Sequence, residues 1–269
     1  MPKFIQPPRI VQNPNERVLL VALIYFEADE PVATTITMDD GNKKRELHFE
    51  ASRDATEGLP IIGMRANLEH RFTVSIANEA GETAEPVALT YHTPQLPSDT
   101  VDMPTVQTIK STPDLMEQGF TLLSIRRSSL NRQHWATPAQ SEFEEKWSLI
   151  AAFDEEGEVV WTYLSDSRIA GIHQLKNGNL FFHHVDFRTI EMDMCGTVVR
   201  QFHAANRPYG PVSDSIPIEA ESLHHQPHEL ANGNFLALTA NAREIENYYT
   251  DIVNKDAPRK TQRVVGDNI

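Results

Sequence analysis

Residues 173–182 read His-Gln-Leu-Lys-Asn-Gly-Asn-Leu-Phe-Phe, and residues 228–236 read His-Glu-Leu-Ala-Asn-Gly-Asn-Phe-Leu. Both follow the pattern His-x-Leu-x-Asn-Gly-Asn and continue into an apolar segment. Asn-Gly is the strongest short signal for a tight β-hairpin, because both of its residues tolerate the positive φ angles of the turn. The two stretches therefore predict two hairpins of the same construction.

A second pattern alternates with the first. Residues 154–163 and 193–202 both read Asp-x-x-Gly-x-Val-Val-x-x-aromatic, which predicts another tight turn followed by a strand. Two turn motifs that alternate with an average repeat of ~47 residues are typical of the four-stranded blades of a β-propeller. The sequence thus predicts an all-β fold with a propeller that begins near residue 119.

The first third of the chain has a simpler pattern of short apolar or alternating segments separated by turn residues. Strands spaced by ~8–12 residues predict a small β-sandwich. The segment resembles a fibronectin type III-like module, and its histidines, His48, His70 and His92, are expected to have no catalytic role. The predicted strands cover residues 18–26, 33–38, 71–77 and 87–93.

A stretch rich in proline, serine and threonine separates the two patterns and is typical of a linker. The predicted domains are a sandwich over residues 1–94, a linker over residues 95–118 and a propeller over residues 119–269. At ~40–50 residues per blade the last segment holds about three blades, whereas a closed propeller has about four to eight. We therefore expect a truncated or partial propeller with exposed blade edges that is inactive by itself.

The composition excludes several classes of partner. With 24 Lys+Arg against 38 Asp+Glu the net charge is −14, which argues against nucleic acids and anionic membranes because both bind basic surfaces. The single Cys195 excludes an internal disulfide and a site made of several thiolates. Residues 1–14 carry no recognisable signal peptide, so we expect a cytoplasmic protein as written, or a periplasmic one if the start has been trimmed.

Five of the 11 histidines fall into two clusters, His183-His184 and His224-His225-x-x-His228. Adjacent residues on a regular strand point to opposite faces, so at most one histidine of each pair would face a propeller funnel. His224 and His228 have the spacing of a zinc-binding helix, but Pro227 and the hairpin after it argue against a helix, and no metal is expected. His183 is expected to be an ordinary histidine at a blade edge.

Residues 222–236, the Asp-x-x-Gly-x-Val-Val turns and the linker that leads into residues 119–123 together resemble the bacterial PAPS-independent aryl sulfotransferases. The resemblance implies a β-sandwich followed by a six-bladed propeller. It also implies transfer of a sulfuryl group from an aryl sulfate to a phenol through a sulfated histidine, without a cofactor. The partners would be these small molecules, and a homodimer stays open.

Within this resemblance, His225 is the first candidate for binding or protonating the sulfuryl oxygens, and His224 is the second. His228 and Arg243 are candidates for substrate binding. Gln226 stands where the family usually has an acidic residue, and no histidine follows His228 to act as the family's nucleophile. A non-catalytic propeller that binds a ligand or a protein is the alternative, because propellers serve many unrelated functions.

Overall fold

A computed structural model describes residues 1–99, 102–128 and 137–269 of the chain. The fold is all-β, with 47% of residues in strands and 4% in helices. The chain forms two compact units, the first made of residues 1–125, 149–165 and 194–197, and the second of residues 126–148, 166–193 and 198–269. Within the described ranges, no helix has the length and apolar character needed to cross a membrane.

The first unit begins with two sheets that pack face to face around one apolar core. One sheet has the strand order β1-β2-β5 and the other β4-β3-β6-β7, and all their strand pairs are antiparallel. Ile24, Ile36 and Phe72 are among the buried side chains between them. The strands are β1 (Phe4–Gln12), β2 (Ala22–Ala28), β3 (Ala33–Asp39), β4 (Lys44–Phe49), β5 (Leu59–Ile61), β6 (Glu69–Ala77) and β7 (Val87–His92).

Two features of this sandwich differ from the sequence prediction. The segment 18–26 becomes a strand only at Ala22, because the amide of Val18 bonds the carbonyl of Asn15 in a turn. The strand β1 was not predicted, since it contains Pro7 and Pro8. Proline is tolerated in edge strands and at bulges, and β1 is an edge strand whose pairing with β2 is irregular around these residues.

The linker segment contains a short 3-10 helix (Pro113–Leu115) and leads to a further sheet of the first unit with the order β10-β9-β8. Residues 100 and 101 of the predicted linker lie outside the described residues. The side chain of Asp154, in the turn between β9 and β10, is buried and bonds Arg65 and Arg45 of the sandwich. The strands are β8 (Thr121–Arg126), β9 (Ser148–Phe153) and β10 (Val159–Ser165).

The turn at residues 194–197 packs against the start of the chain in the first unit. The side-chain amide of Asn13 donates to the carbonyl of Cys195, and that of Asn15 donates to the carbonyl of Gly196, both at 2.9 Å. The indole N–H of Trp161 donates to the carbonyl of Met194 at 2.8 Å. Side chains far apart in sequence thus satisfy three backbone carbonyls of one turn.

The second unit contains a helix, a five-stranded sheet and a three-stranded sheet. The five-stranded sheet has the order β11-β12-β13-β14-β15, antiparallel except for the parallel pair β14-β15, and the other sheet has the order β16-β17-β18. The elements are α1 (Pro138–Glu145), β11 (Ile169–Gln174), β12 (Leu180–His184), β13 (Arg188–Met192), β14 (Val198–Ala204), β15 (Ile216–Ile218), β16 (His224–Glu229), β17 (Phe235–Tyr248) and β18 (Lys260–Asn268).

Both Asn-Gly-Asn motifs form the predicted hairpin turns. The first connects β11 to β12 and the second connects β16 to β17. In each, the first asparagine accepts a hydrogen bond from the amide of the second, at 2.9 Å for Asn177 and Asn179 and at 3.0 Å for Asn232 and Asn234. The glycine between them has a positive φ in both copies, which explains why glycine stands there.

Candidate active site

The strand β16, which carries three of the four predicted site residues, is not regular. His224 pairs with Leu238 and His228 pairs with Leu236, so four steps along β16 correspond to two steps along β17. The extra residues form a bulge, in which His225 has a left-handed backbone with φ of 60°. The alternation of faces that we expected for His224 and His225 applies to a regular strand, and β16 is not regular at this point.

Two neighbours account for the bulge. Pro227 has no amide hydrogen and cannot donate to the ladder with β17. Gly171 of β11 has a φ of 71°, and a Cβ atom at this position would lie 2.6 Å from the Cα atom of Gln226. Only glycine therefore lets the backbone of β11 approach β16 so closely. The bulge is thus held by the adjoining sheet as well as by its own hairpin.

The two adjacent histidines differ in their surroundings. The His224 side chain is half-buried, and its Nε2 atom lies 3.4 Å from a carboxylate oxygen of Asp267 on β18. His225 is exposed, and the centroid of its ring lies 5.0 Å from that of His224 in an edge-on arrangement. The bulge therefore presents one imidazole to solvent and holds the other beside a carboxylate.

His183 lies on β12, an interior strand of the five-stranded sheet, and is fully buried. This position differs from the blade edge that we expected. The Nδ1 atom lies 2.5 Å from the hydroxyl oxygen of Thr189 on β13, whereas no hydrogen-bond partner of Nε2 lies among the described residues. Burial, together with the charges of the nearby His224 and His225, lowers the pKa of His183 to about 4.

Two further histidines have their own contacts. The ring of His228, which is exposed, lies 4.9 Å from the ring of His173 on β11. His184, next to His183, is buried, and its Nδ1 atom lies 3.1 Å from a guanidinium nitrogen of Arg188. Sequence reasoning missed the contributions of His173, Asp267 and Thr189, because each comes from another strand. The glycine inside the β11 segment is the one local signal of a close backbone approach.

Arg243 is not brought to this cluster. It was expected just after a strand, but β17 continues through it to Tyr248, because β18 pairs with this part of the strand. Arg243 is exposed and its Nε atom lies 3.4 Å from the side-chain oxygen of Asn241. Five residues separate it from Leu238, the partner of His224, which corresponds to ~17 Å along a strand.

The cluster does not have the form of a metal site. In the described part of the chain, no group of three or more His, Cys, Asp or Glu side chains is arranged to hold a metal ion. The arrangement offers imidazole nitrogens at different depths, which suits proton transfer and the binding of anionic oxygens.

Two family models match the chain on either side of the linker. The model described as Arylsulfotransferase Ig-like domain matches residues 9–94, and the model described as Arylsulfotransferase (ASST) matches residues 105–257, which is more than half of the chain. The chain belongs to the arylsulfotransferase family. The N-terminal sandwich is thus the Ig-like domain of this family, and the sequence resemblance is confirmed.

All the histidines of the cluster lie within the arylsulfotransferase match, whereas Asp267 lies beyond it. No curated protein matches the chain. One similar solved structure is a crystal structure of a protein of unknown function from Bacteroides caccae, with 14% sequence identity and a TM-score of 0.28 over 87% of this chain and 73% of that chain. At this TM-score the likeness says nothing about fold or function.

Proposed function

We propose that this protein transfers a sulfuryl group from an aryl sulfate to a phenol, and that the histidines at the β16 bulge serve this reaction. The observation that carries the proposal is the grouping of His183, His224 and His225 inside the segment that matches the arylsulfotransferase family. One of these imidazoles is buried, one is half-buried and one is exposed. Such a group can bind anionic oxygens and donate a proton, which suits a reaction that moves negative charge from one oxygen atom to another.

The chemistry resembles phosphoryl transfer, where positioning and electrostatic stabilisation do most of the work. In the first step the bond between sulfur and the donor's phenolic oxygen breaks, a bond from sulfur to the nitrogen of a nucleophilic histidine forms, and the departing phenolate takes up a proton from His225. In the second step the acceptor phenol returns a proton to His225, and its oxygen replaces the histidine nitrogen on sulfur. The two steps require no nucleotide or other cofactor. We propose that this chain is a truncated form that lacks the nucleophile, since no histidine follows His228 in the sequence.

His225 is proposed to bind the sulfuryl oxygens and to give the proton to the departing phenolate. Its ring is exposed beside that of His224 and is therefore open to a small anionic substrate. His224, held at Asp267, is proposed to orient His225 and to contribute a second N–H group. His228 is proposed to contact the substrate, whereas Arg243 is left out because it lies too far along β17.

We also propose that the sheets beyond the linker are successive blades of a β-propeller. Support comes from the second unit, in which β11 to β14 form a four-stranded antiparallel meander. The first strand of that meander, β11, lies against β16, the first strand of the next sheet. Neighbouring blades of a propeller present their first strands to the central channel in this way.

The test is sulfate transfer from 4-nitrophenyl sulfate to phenol by the protein that carries this chain. The expected result is release of 4-nitrophenolate with formation of phenyl sulfate, and a loss of turnover of at least ~100-fold in His225→Asn. His48→Asn, on the exposed face of the sandwich, is the matched control and is expected to leave turnover unchanged. Absence of transfer with a range of aryl sulfates would overturn the proposal and favour a binding module.

A further inference from the structure

His183 was expected to be an ordinary histidine at a blade edge, but its side chain is fully buried. A buried polar atom without a partner destabilises the folded protein, and most such atoms in native proteins are paired. The Nε2 atom of His183 is one of these exceptions in the part of the chain that the structure describes. The other ring nitrogen is engaged by Thr189 at 2.5 Å, so the ring is fixed while one nitrogen stays available.

The groups close to the His183 ring determine which hydrogen-bond partner its Nε2 atom can have. Of the ionisable groups whose charge acts on His183, His224 is the strongest and His225 follows, and both belong to the β16 bulge. The backbone of Arg188 on β13 is also close enough to the ring to raise the pKa of His183, against the larger effect of burial. The backbones of β11 and β16 come very close together at Gly171 and Gln226. His183 pairs with Ala170, the neighbour of Gly171, and β12 contacts β16, so His183 lies close to the bulge that carries the two candidate histidines.

His224 has one ring nitrogen directed at Asp267, which leaves the other nitrogen for a second partner. A histidine that reacts with a substrate usually has its ring orientation fixed by such outer partners. Hydrogen bonds of this kind are often long or absent in the empty site and tighten when the ligand binds. The Nε2 atom of His183, which is buried and has no partner among the described residues, can accept such a hydrogen bond.

We propose that His183 is a positioning residue of the site, whose Nε2 atom accepts a hydrogen bond from the Nδ1–H group of His224 when an aryl sulfate is bound. With a hydrogen on both ring nitrogens of His224, this side chain donates to His183 from Nδ1 and to Asp267 from Nε2, so that Thr189, His183, His224 and Asp267 form one chain of hydrogen bonds that holds the His224 ring and, through it, His225. The proposal rests on the proposed function for its ligand. It involves no transfer of a proton to His183.

Two substitutions separate this role from simple packing. His183→Asn keeps a polar atom near the position of Nδ1 and so can keep the Thr189 contact, but it has nothing at the position of Nε2. His183→Gln extends a polar atom to about the position of Nε2. We expect His183→Asn to lower kcat by about 10–100-fold with a smaller effect on KM, and His183→Gln to restore most of that loss.

The second readout is independent of turnover. In the protein with nitrogen-15-labelled histidine, addition of 4-nitrophenyl sulfate is expected to shift the NMR signal of His183 Nε2 in the direction of hydrogen-bond formation, and the effect is expected to disappear in His224→Gln. Urea unfolding of each variant checks that the fold is retained.

The outcomes distinguish the two proposals. If the wild-type protein transfers no sulfate, the proposed function fails, and the His183 proposal is judged by the NMR signal alone. A folded His183→Asn variant with wild-type kcat, or an Nε2 signal that stays unchanged when the ligand is bound, would overturn the role of His183. Equal losses in His183→Asn and His183→Gln that follow their loss of stability would show a packing role instead.

Discussion

Arg65 donates two hydrogen bonds to a single carboxylate oxygen of Asp154, from Nε at 2.9 Å and from Nη2 at 2.7 Å. Arg45 approaches the same oxygen at 3.3 Å. Burial alone would raise the pKa of Asp154, but the hydrogen bonds from Arg65 and from two backbone amides outweigh burial and lower it. A buried carboxylate thus connects the sandwich to the turn between β9 and β10.

The first prediction concerns this contact. Asp154→Asn keeps the shape of the side chain but removes the charge, and leaves two largely buried guanidinium groups without their common partner. We expect a loss of about 3 kcal/mol in the free energy of unfolding, measured by urea denaturation. The control is Glu142→Gln, which breaks the exposed pair between Glu142 on α1 and Lys146 just after it, and it should change the free energy of unfolding far less. Equal losses in the two variants would contradict the prediction.

The second prediction concerns acid stability. Because the pKa of His183 is lowered, the ring stays neutral in the folded protein, whereas in the unfolded chain it becomes protonated as the pH falls below its ordinary pKa of 6.5. Stability is therefore lost as the pH falls from about 6.5 to about 4, by up to roughly 3 kcal/mol. The dependence of the unfolding free energy on pH should flatten in His183→Gln and not in His48→Gln. A wild-type protein equally stable at both ends of this window would refute it.

The third prediction compares two glycines of the same sheet. Gly171 and Gly178 both have a positive φ, but a Cβ atom would meet the backbone of Gln226 at Gly171 and open space at Gly178. Gly178→Ala should cost about 1 kcal/mol from its backbone alone, and Gly171→Ala about 1–3 kcal/mol more. Thermal or urea unfolding gives both values. If the two substitutions cost the same, β11 and β16 are not in the close contact described above.

The fourth prediction concerns Glu191, a buried residue of β13. Its carboxylate accepts hydrogen bonds from the amides of Asn177 at 3.0 Å and Asn179 at 2.7 Å, and it also pairs with Arg200. Burial would raise the pKa of Glu191, but these partners lower it overall, so its contribution to stability is present at neutral pH and is lost as the pH falls. Glu191→Gln should cost about 2 kcal/mol at neutral pH.

The measurement for Glu191 is urea denaturation of both proteins at neutral pH and again in acid. The difference between wild type and Glu191→Gln should shrink in acid, because the wild-type carboxylate is then protonated as well. Glu117→Gln, at an exposed residue of the segment before β8, is a control for the loss of one negative charge. A difference that does not depend on pH would contradict the assignment of the charge to this network.

The parts of the fold that sequence reasoning predicted well depend on local chemistry. The hairpins at Asn177 and Asn232 follow from dipeptides whose backbone preferences are nearly independent of their surroundings. The helix α1 could have been predicted too, because Thr137 and Gln140 form a capping box at its start, a pattern that is readable in the sequence. The strand β1 was missed because its prolines are tolerated only at an edge, and edges are defined by the whole sheet.

The candidate site was predicted only in part, for a related reason. His224 and His225 stand out as adjacent residues, but the bulge that positions them depends on Gly171, which lies on another strand. The rule that neighbouring side chains alternate between faces holds for regular strands and fails at such a bulge. His183 was misjudged because its burial and its contact with Thr189 arise from the pairing of β12 with β13.

The contact of Asn13 with Cys195 has a consequence for the order of events during synthesis, because the two residues are 182 positions apart in the chain. At a translation rate of about 5–20 residues per second, the asparagine leaves the ribosome on the order of ten seconds or more before its partner exists. Contacts between such distant positions also form late and slow the search for the native state. The side-chain amide of Asn13 must therefore stay in contact with water until the turn at residues 194–197 has been synthesised.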